Sequence, residues 1–202
     1  MKESEENIHL SMKSILAHIR EEGMYSAARG MSEMVGEELT VSEPHVSMIP
    51  FHEISSILGG AETEAVGIYL RIDGMIPGQM MMIVPYAKAL ELADLVMSLP
   101  KGTTQSFGKM ERSALAELGN LTGSFFLNSI ADRTGIFVRP SPPAVMVDMV
   151  GAIMDIILAT TDDLSDQVLL IQATFLRDDH ESQADFWIIP DRKALESLNT
   201  QA

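Results

Sequence analysis

The sequence contains no cysteine, which excludes a disulfide framework, a zinc–thiolate centre and a thiol nucleophile and leans towards the cytosol. It is also poor in bases: 14 Lys and Arg stand against 29 Asp and Glu, for a net charge of −15. Nucleic-acid phosphates and anionic membrane surfaces repel such a chain, so neither is an expected partner. An acidic surface of this kind serves solubility or a salt-rich cytoplasm. No stretch approaches the ~18 apolar residues of a membrane span. The opening residues Met1 to Glu6 lack the apolar core of a signal peptide. The expectation is a cytoplasmic protein with no membrane span.

What is present is enough apolar sequence, 46% of 202 residues, to bury a substantial core. Apolar residues at helical spacing (Ile8, Met12, Ile15, Leu16, Ile19) predict a helix over 5–22, and a second is expected over 24–36, ended by Gly36. An extended segment broken by Pro44 follows. Val66, Ile68, Leu70 and Ile72 alternate as in a strand, Met80 to Val84 is continuously apolar, and Tyr86 to Leu99 reads as a helix stopped by Pro100. A polar linker, Lys101 to Ser106, is expected to be exposed. The order then recurs. A long helix is predicted over 108–134, then an extended run with Pro140, Pro142 and Pro143, a short apolar helix over 151–159, strands at 167–177 and 184–189, and a terminal helix from Pro190.

Subtraction supports a duplication. Ser113 and Ser14, Gly135 and Gly36, and Pro143 and Pro44 are each 99 positions apart. That period is too long for a solenoid and fits an internal repeat. The predicted fold is α/β of the α+β type, one 1–202 domain made of two homologous halves (about 5–100 and 107–200). They share one mostly antiparallel six-stranded sheet, with long helices packed on a face.

One stretch carries chemistry. Ser113, Glu117 and Asn120 stand at i, i+4 and i+7 of the predicted long helix, so their side chains share a face. Ala114, Leu118, Leu121 and Phe125 form the stripe expected to anchor that helix. Gly119 and Gly123 leave a groove open to close backbone approach. Polar pairs on a helix usually do no more than solvate its outer side. Here the further spacing to Pro143, 23 positions after Asn120, argues for a site.

Ser113-x3-Glu117-x2-Asn120-x22-Pro143 resembles the phosphatase signature of the CheC/CheX/FliY group of chemotaxis proteins. The wording around it, Ala116 to Gly123 and Val147 to Ile153, is similar to CheC-like members, as are Ser42, Pro44, Val46 and Pro50 in the first half. The resemblance implies a hydrolase that dephosphorylates the phosphorylated response regulator CheY in signal transduction. Asn120 would enter the regulator's active site and orient the attacking water. Glu117 would pair with a regulator lysine. Ser113 and Pro143 would support them, as a brace and a turn. No cofactor is implied for this chain, Mg²⁺ being held by the regulator. The scattered histidines have no metal-ligand spacing, so no metal site is expected.

Counting back from Pro44 at the same intervals finds Ser14, His18 and Glu21. With His where the acid belongs and an acid where the amide belongs, this first site is read as degenerate. A carboxylate at 21 cannot donate to a phosphoryl oxygen and is repelled by it. In CheC-like proteins the region after the proline is a contact for the deamidase CheD. Met154, Ile157 and Leu158 are the candidates here, with burial in the core an equal alternative. The fifteen methionines fit core filling better than an adaptable surface. The other function the resemblance allows is a non-catalytic interaction module, like the switch protein FliM, binding CheD or motor components.

Overall fold

The computed structural model describes residues 18, 22–36, 38, 40–160, 166–177 and 180–191. Their order is α1 (Met24–Val35), β1 (Thr40–Val41), β2 (His45–Pro50), a 3-10 turn (Phe51–Glu53) into α2 (Ile54–Ile57), β3 (Glu64–Gly74), β4 (Gly78–Pro85) and α3 (Tyr86–Val96). Then come α4 (Lys109–Thr134), β5 (Val138–Pro140), β6 (Ala144–Met149), α5 (Val150–Thr160), β7 (Gln167–Arg177) and β8 (His180–Pro190). Pro190, where a helix was expected to begin, ends β8 instead; beyond Asp191 that helix, and all of the 5–22 helix except 18 and 22, lie outside the described residues.

The α+β architecture agrees with the sequence reading, and every strand pairing is antiparallel. The sheet is six ranks wide but holds eight strands. Each outer rank is two short strands: β1 and β2 lie along β7, and β5 and β6 lie along β3. Proline cannot donate to a ladder, so Pro44 and the Pro140–Pro143 run break what would be one edge strand into two. Several features 99 positions apart in sequence also match in three dimensions. β2 and β6 begin and end 99 positions apart. Gly36 and Gly135 both close their helices in the left-handed region, at φ 73° and 68°, where glycine carries no Cβ penalty. Each half lends its short strands to the long strand of the other, and β4 meets β8 at the centre. The halves are therefore interleaved around one sheet.

Both sheet faces are covered. On β3 and β4, Val66, Ile68, Ile72, Met80, Met82 and Val84 point under α1, α3 and α4. Ala65, Met81 and Ile83 point the other way, under α2 and α5 with Trp187. A strand covered on both sides cannot alternate with polar residues, which is why Met80 to Val84 reads as an unbroken apolar run. These methionines fill core, as expected. The helices are not confined to one face: the long ones are, while α2 and α5 close the second.

Two local expectations are corrected by packing. The linker is not merely an exposed connection, because Thr104 is buried and the Gly102, Thr103 and Thr104 N–H groups donate to the carboxylate of buried Asp94 at 2.7, 3.0 and 2.8 Å. The predicted helix over Tyr86 to Leu99 stops at Val96, since Ser98 turns to φ 55° ahead of Pro100.

Candidate functional site

The long helix α4 starts at Gly108, whose N–H donates to the Glu111 carboxylate at 2.8 Å, and runs to the Gly135 stop. Its deepest apolar side chains are Leu115, Leu118, Phe126 and Leu127. Of the stripe expected from sequence, Leu118 is buried while Ala114, Leu121 and Phe125 are half-buried. The difference comes from a second neighbour: a Cβ on Gly30 of α1 would lie 3.1 Å from the Leu121 carbonyl and 2.8 Å from the Phe125 ring, so that flank meets α1 rather than the sheet.

On the opposite flank Ser113 and Glu117 are exposed and Asn120 is half-buried. These three, with Ala116, form one wall of an open cleft of about 610 Å³. The other wall is Pro140, Ser141, Pro142 and Pro143, the link between β5 and β6. All four signature positions thus open onto one cleft, with an acid and an amide on a rigid rod facing a proline wall. The carboxylate can accept from a cation, and the carboxamide can both accept and donate. Among the described residues, no group of three or more His, Asp or Glu is placed to hold a metal ion. None of the described helices is long and apolar enough to cross a membrane.

Gly119 and Gly123 are buried, and their groove is filled from within. A Cβ on Gly119 would collide with the Ile68 side chain of β3, and one on Gly123 would come within 3.3 Å of Leu70. Ser141 is a site residue the sequence reading passed over. Its N–H donates to the Arg71 carbonyl at 2.7 Å, and its Oγ accepts from the Arg71 N–H at 2.9 Å. The signal was available: between Pro140 and Pro142–Pro143 only Ser141 has an N–H to offer a sheet edge.

Among the described residues, the first half does not repeat this arrangement. His18 is 5% exposed and buried like Leu118, at 0%, rather than open like Glu117. Glu22 and Gly23 form a π turn, which takes up one extra residue. In burial His18 thus matches Leu118, 100 positions on, rather than Glu117, 99 positions on. Pro44 is buried, whereas Pro143 is half-exposed. Ser14 and Glu21 lie outside the described residues. His18→Glu should therefore lower stability rather than create a site, because it puts a carboxylate into the core beside Glu22, whose carboxylate is 3.8 Å from His18 Nδ1. A loss above ~2 kcal/mol in urea unfolding is expected. Unchanged stability would place position 18 at the surface.

The CheD candidates divide. Met154 and Ile157 are 7% and 1% exposed and pack into the second core with Val150 and Ile153. This i, i+3, i+4, i+7 face is the inner one, so those two residues are core. Leu158, 48% exposed, remains on the outer side with Ile156.

Residues 110–147, which contain all four signature positions, match the model of the CheC-like family. The chain is 26% identical over 188 residues to the CheY-P phosphatase CheC of Bacillus subtilis, covering 91% of this chain and 90% of that one. Its fold is similar to that of FliY from Thermotoga maritima, with a TM-score of 0.72, 17% identity, and 93% and 95% of the two chains covered. It is also similar to the CheX–CheY–BeF3–Mg²⁺ complex from Borrelia burgdorferi, with a TM-score of 0.53, 17% identity, and 86% and 98% covered. The resemblance read from the signature agrees with these matches: the chain is similar in sequence to CheC over most of its length, and its fold is similar to those of FliY and CheX.

Proposed function

We propose that this protein is a phosphatase of a phosphorylated CheY-type response regulator. The observation that carries the reading is the cleft on α4. The acid and the amide stand on one accessible face, opposite the signature proline, inside the segment that matches the CheC-like family. The substrate is an aspartyl phosphate, a mixed anhydride. Water attacks phosphorus in line as the bond to the aspartate oxygen breaks, releasing the carboxylate and inorganic phosphate. The regulator supplies the phosphoryl group and Mg²⁺. This chain supplies position: the Asn120 carboxamide accepts from the attacking water and donates to a phosphoryl oxygen, while Glu117 pairs with a regulator lysine and sets the docking register. Phosphoryl transfer depends chiefly on such placement and charge stabilisation.

An interaction module with no catalysis needs neither group at those positions, and the retained pair favours the enzyme. The decisive measurement is phosphate release from a CheY-type regulator phosphorylated by acetyl phosphate with Mg²⁺. Wild-type protein should accelerate release, and the Glu117→Ala/Asn120→Ala double variant should return it to the regulator's own rate. A wild-type chain that binds the regulator without accelerating release would support the docking module instead.

A further inference from the structure

Glu117 and Asn120 ride on one helix, so a rigid shift of α4 leaves their mutual geometry intact. Such a shift alters only their spacing from the second wall of the cleft. That wall is stiff: three of its four residues are prolines with fixed φ, and Ser141 is tied to β3 by both its N–H and its Oγ. The spacing between the walls is set at Gly119. The glycine's bare face rests on Ile68 of β3, and its missing Cβ would also lie 3.8 Å from Pro143 Cβ. Helix, sheet and proline wall thus meet at the residue next to Asn120.

We propose that the phosphorylated regulator seats against both walls, the α4 face and the Pro140–Pro143 segment, and that Gly119 is the positioning residue that fixes their separation. This rests on the phosphatase reading above. An alanine at 119 must push α4 off β3, because the clash is with the branched methyl of Ile68 rather than with the end of a flexible chain. Displacement on the ångström scale can cost about a hundredfold in a positioned reaction.

The test measures phosphate release from the acetyl-phosphate-treated regulator and binding of its beryllofluoride–Mg²⁺ form. Gly119→Ala should lower kcat/KM at least tenfold. Ile68→Leu, which removes the branched methyl at constant volume, should restore most of it in the Gly119→Ala/Ile68→Leu double variant. A merely destabilised glycine variant that keeps its per-molecule activity would overturn the proposal, as would a well-folded double variant with no recovery. Pro142→Trp changes an exposed residue that the Ile68 clash does not involve, and tests the second wall should Gly119→Ala not fold. It should weaken binding at least tenfold, and affinity within twofold of wild type sinks the two-wall seat. If wild type itself leaves phosphoryl decay unchanged, the phosphatase reading fails and this proposal with it. An active wild type with an equally active Gly119→Ala defeats only the proposal.

Discussion

Asn120→Ala is expected to reduce the saturated rate of regulator dephosphorylation by ~10²–10³-fold, the usual cost of losing one preorganised donor at a reacting centre. Its side chain projects into the cleft and is only half-buried, so truncation leaves no large cavity in the core. Urea midpoints of variant and wild type should therefore agree closely. Asn120→Asp sharpens the argument. It keeps the shape but exchanges a donor for a negative charge facing the phosphoryl group. Like charges ~4 Å apart repel by about 4 kcal/mol at the effective dielectric of a protein surface. The aspartate variant should thus be no better than alanine, and worse in binding. Glu117→Ala should behave differently, raising KM more than it lowers kcat, because a docking pair acts in ground state and transition state alike. If Asn120→Ala changed KM alone, the amide would be a docking group and the water-orienting role would be wrong.

Why the site face of α4 was readable, and its setting was not, follows from what each depends on. The i, i+4, i+7 spacing of Ser113, Glu117 and Asn120 is local, and a helix converts it into a shared face whatever lies beneath. The strands at Val66–Ile72 and Met80–Val84 were legible for the same reason. The register of the first half was not. A π turn at Glu22–Gly23 stands between buried His18 and α1, and no residue type announces such a turn. Likewise Met154 and Ile157 look the same as Leu158 in sequence; only the sheet beneath α5 separates inner from outer face. The apparent groove at Gly119 and Gly123 was a sound inference about close approach, but whether the visitor is a partner or the chain's own β3 is a tertiary fact. Ser141 sits between these cases: proline chemistry singles it out, yet its partner Arg71 lies 70 positions away.

Asp94→Ala is the substitution with the largest expected effect on stability. Asp94 is fully buried on α3, away from the apolar face of Ala89, Leu92 and Val96, where the Gly102–Thr104 linker covers it. Burial pushes its carboxyl up, but hydrogen bonds from the Thr104 side chain and N–H, then from the Gly102 and Thr103 N–H groups, outweigh it and hold the group below the usual Asp range. These bonds fold the linker back onto α3 just before α4 begins, so they help set where the site helix starts. Removing the carboxylate takes a charged acceptor, worth ~1.5–3 kcal/mol per hydrogen bond, from the buried Thr104 N–H and, at lower cost, from the N–H groups of the more exposed Gly102 and Thr103. A loss of ~3–5 kcal/mol is expected, a large share of a domain's total stability. Asp94→Asn keeps the shape but turns an NH2 towards donors and should recover only part of the loss. The depressed carboxyl also dictates the acid limb. The unfolded chain takes up this proton near pH 3.9, above the folded state, so stability rises with pH through that window. Asp94's contribution is complete above about pH 4 and disappears as pH falls through the lower folded value. Urea midpoints measured downward from pH 7 should therefore fall less steeply below pH 4 in Asp94→Ala than in wild type. Parallel acid limbs would mean that another carboxylate governs acid unfolding.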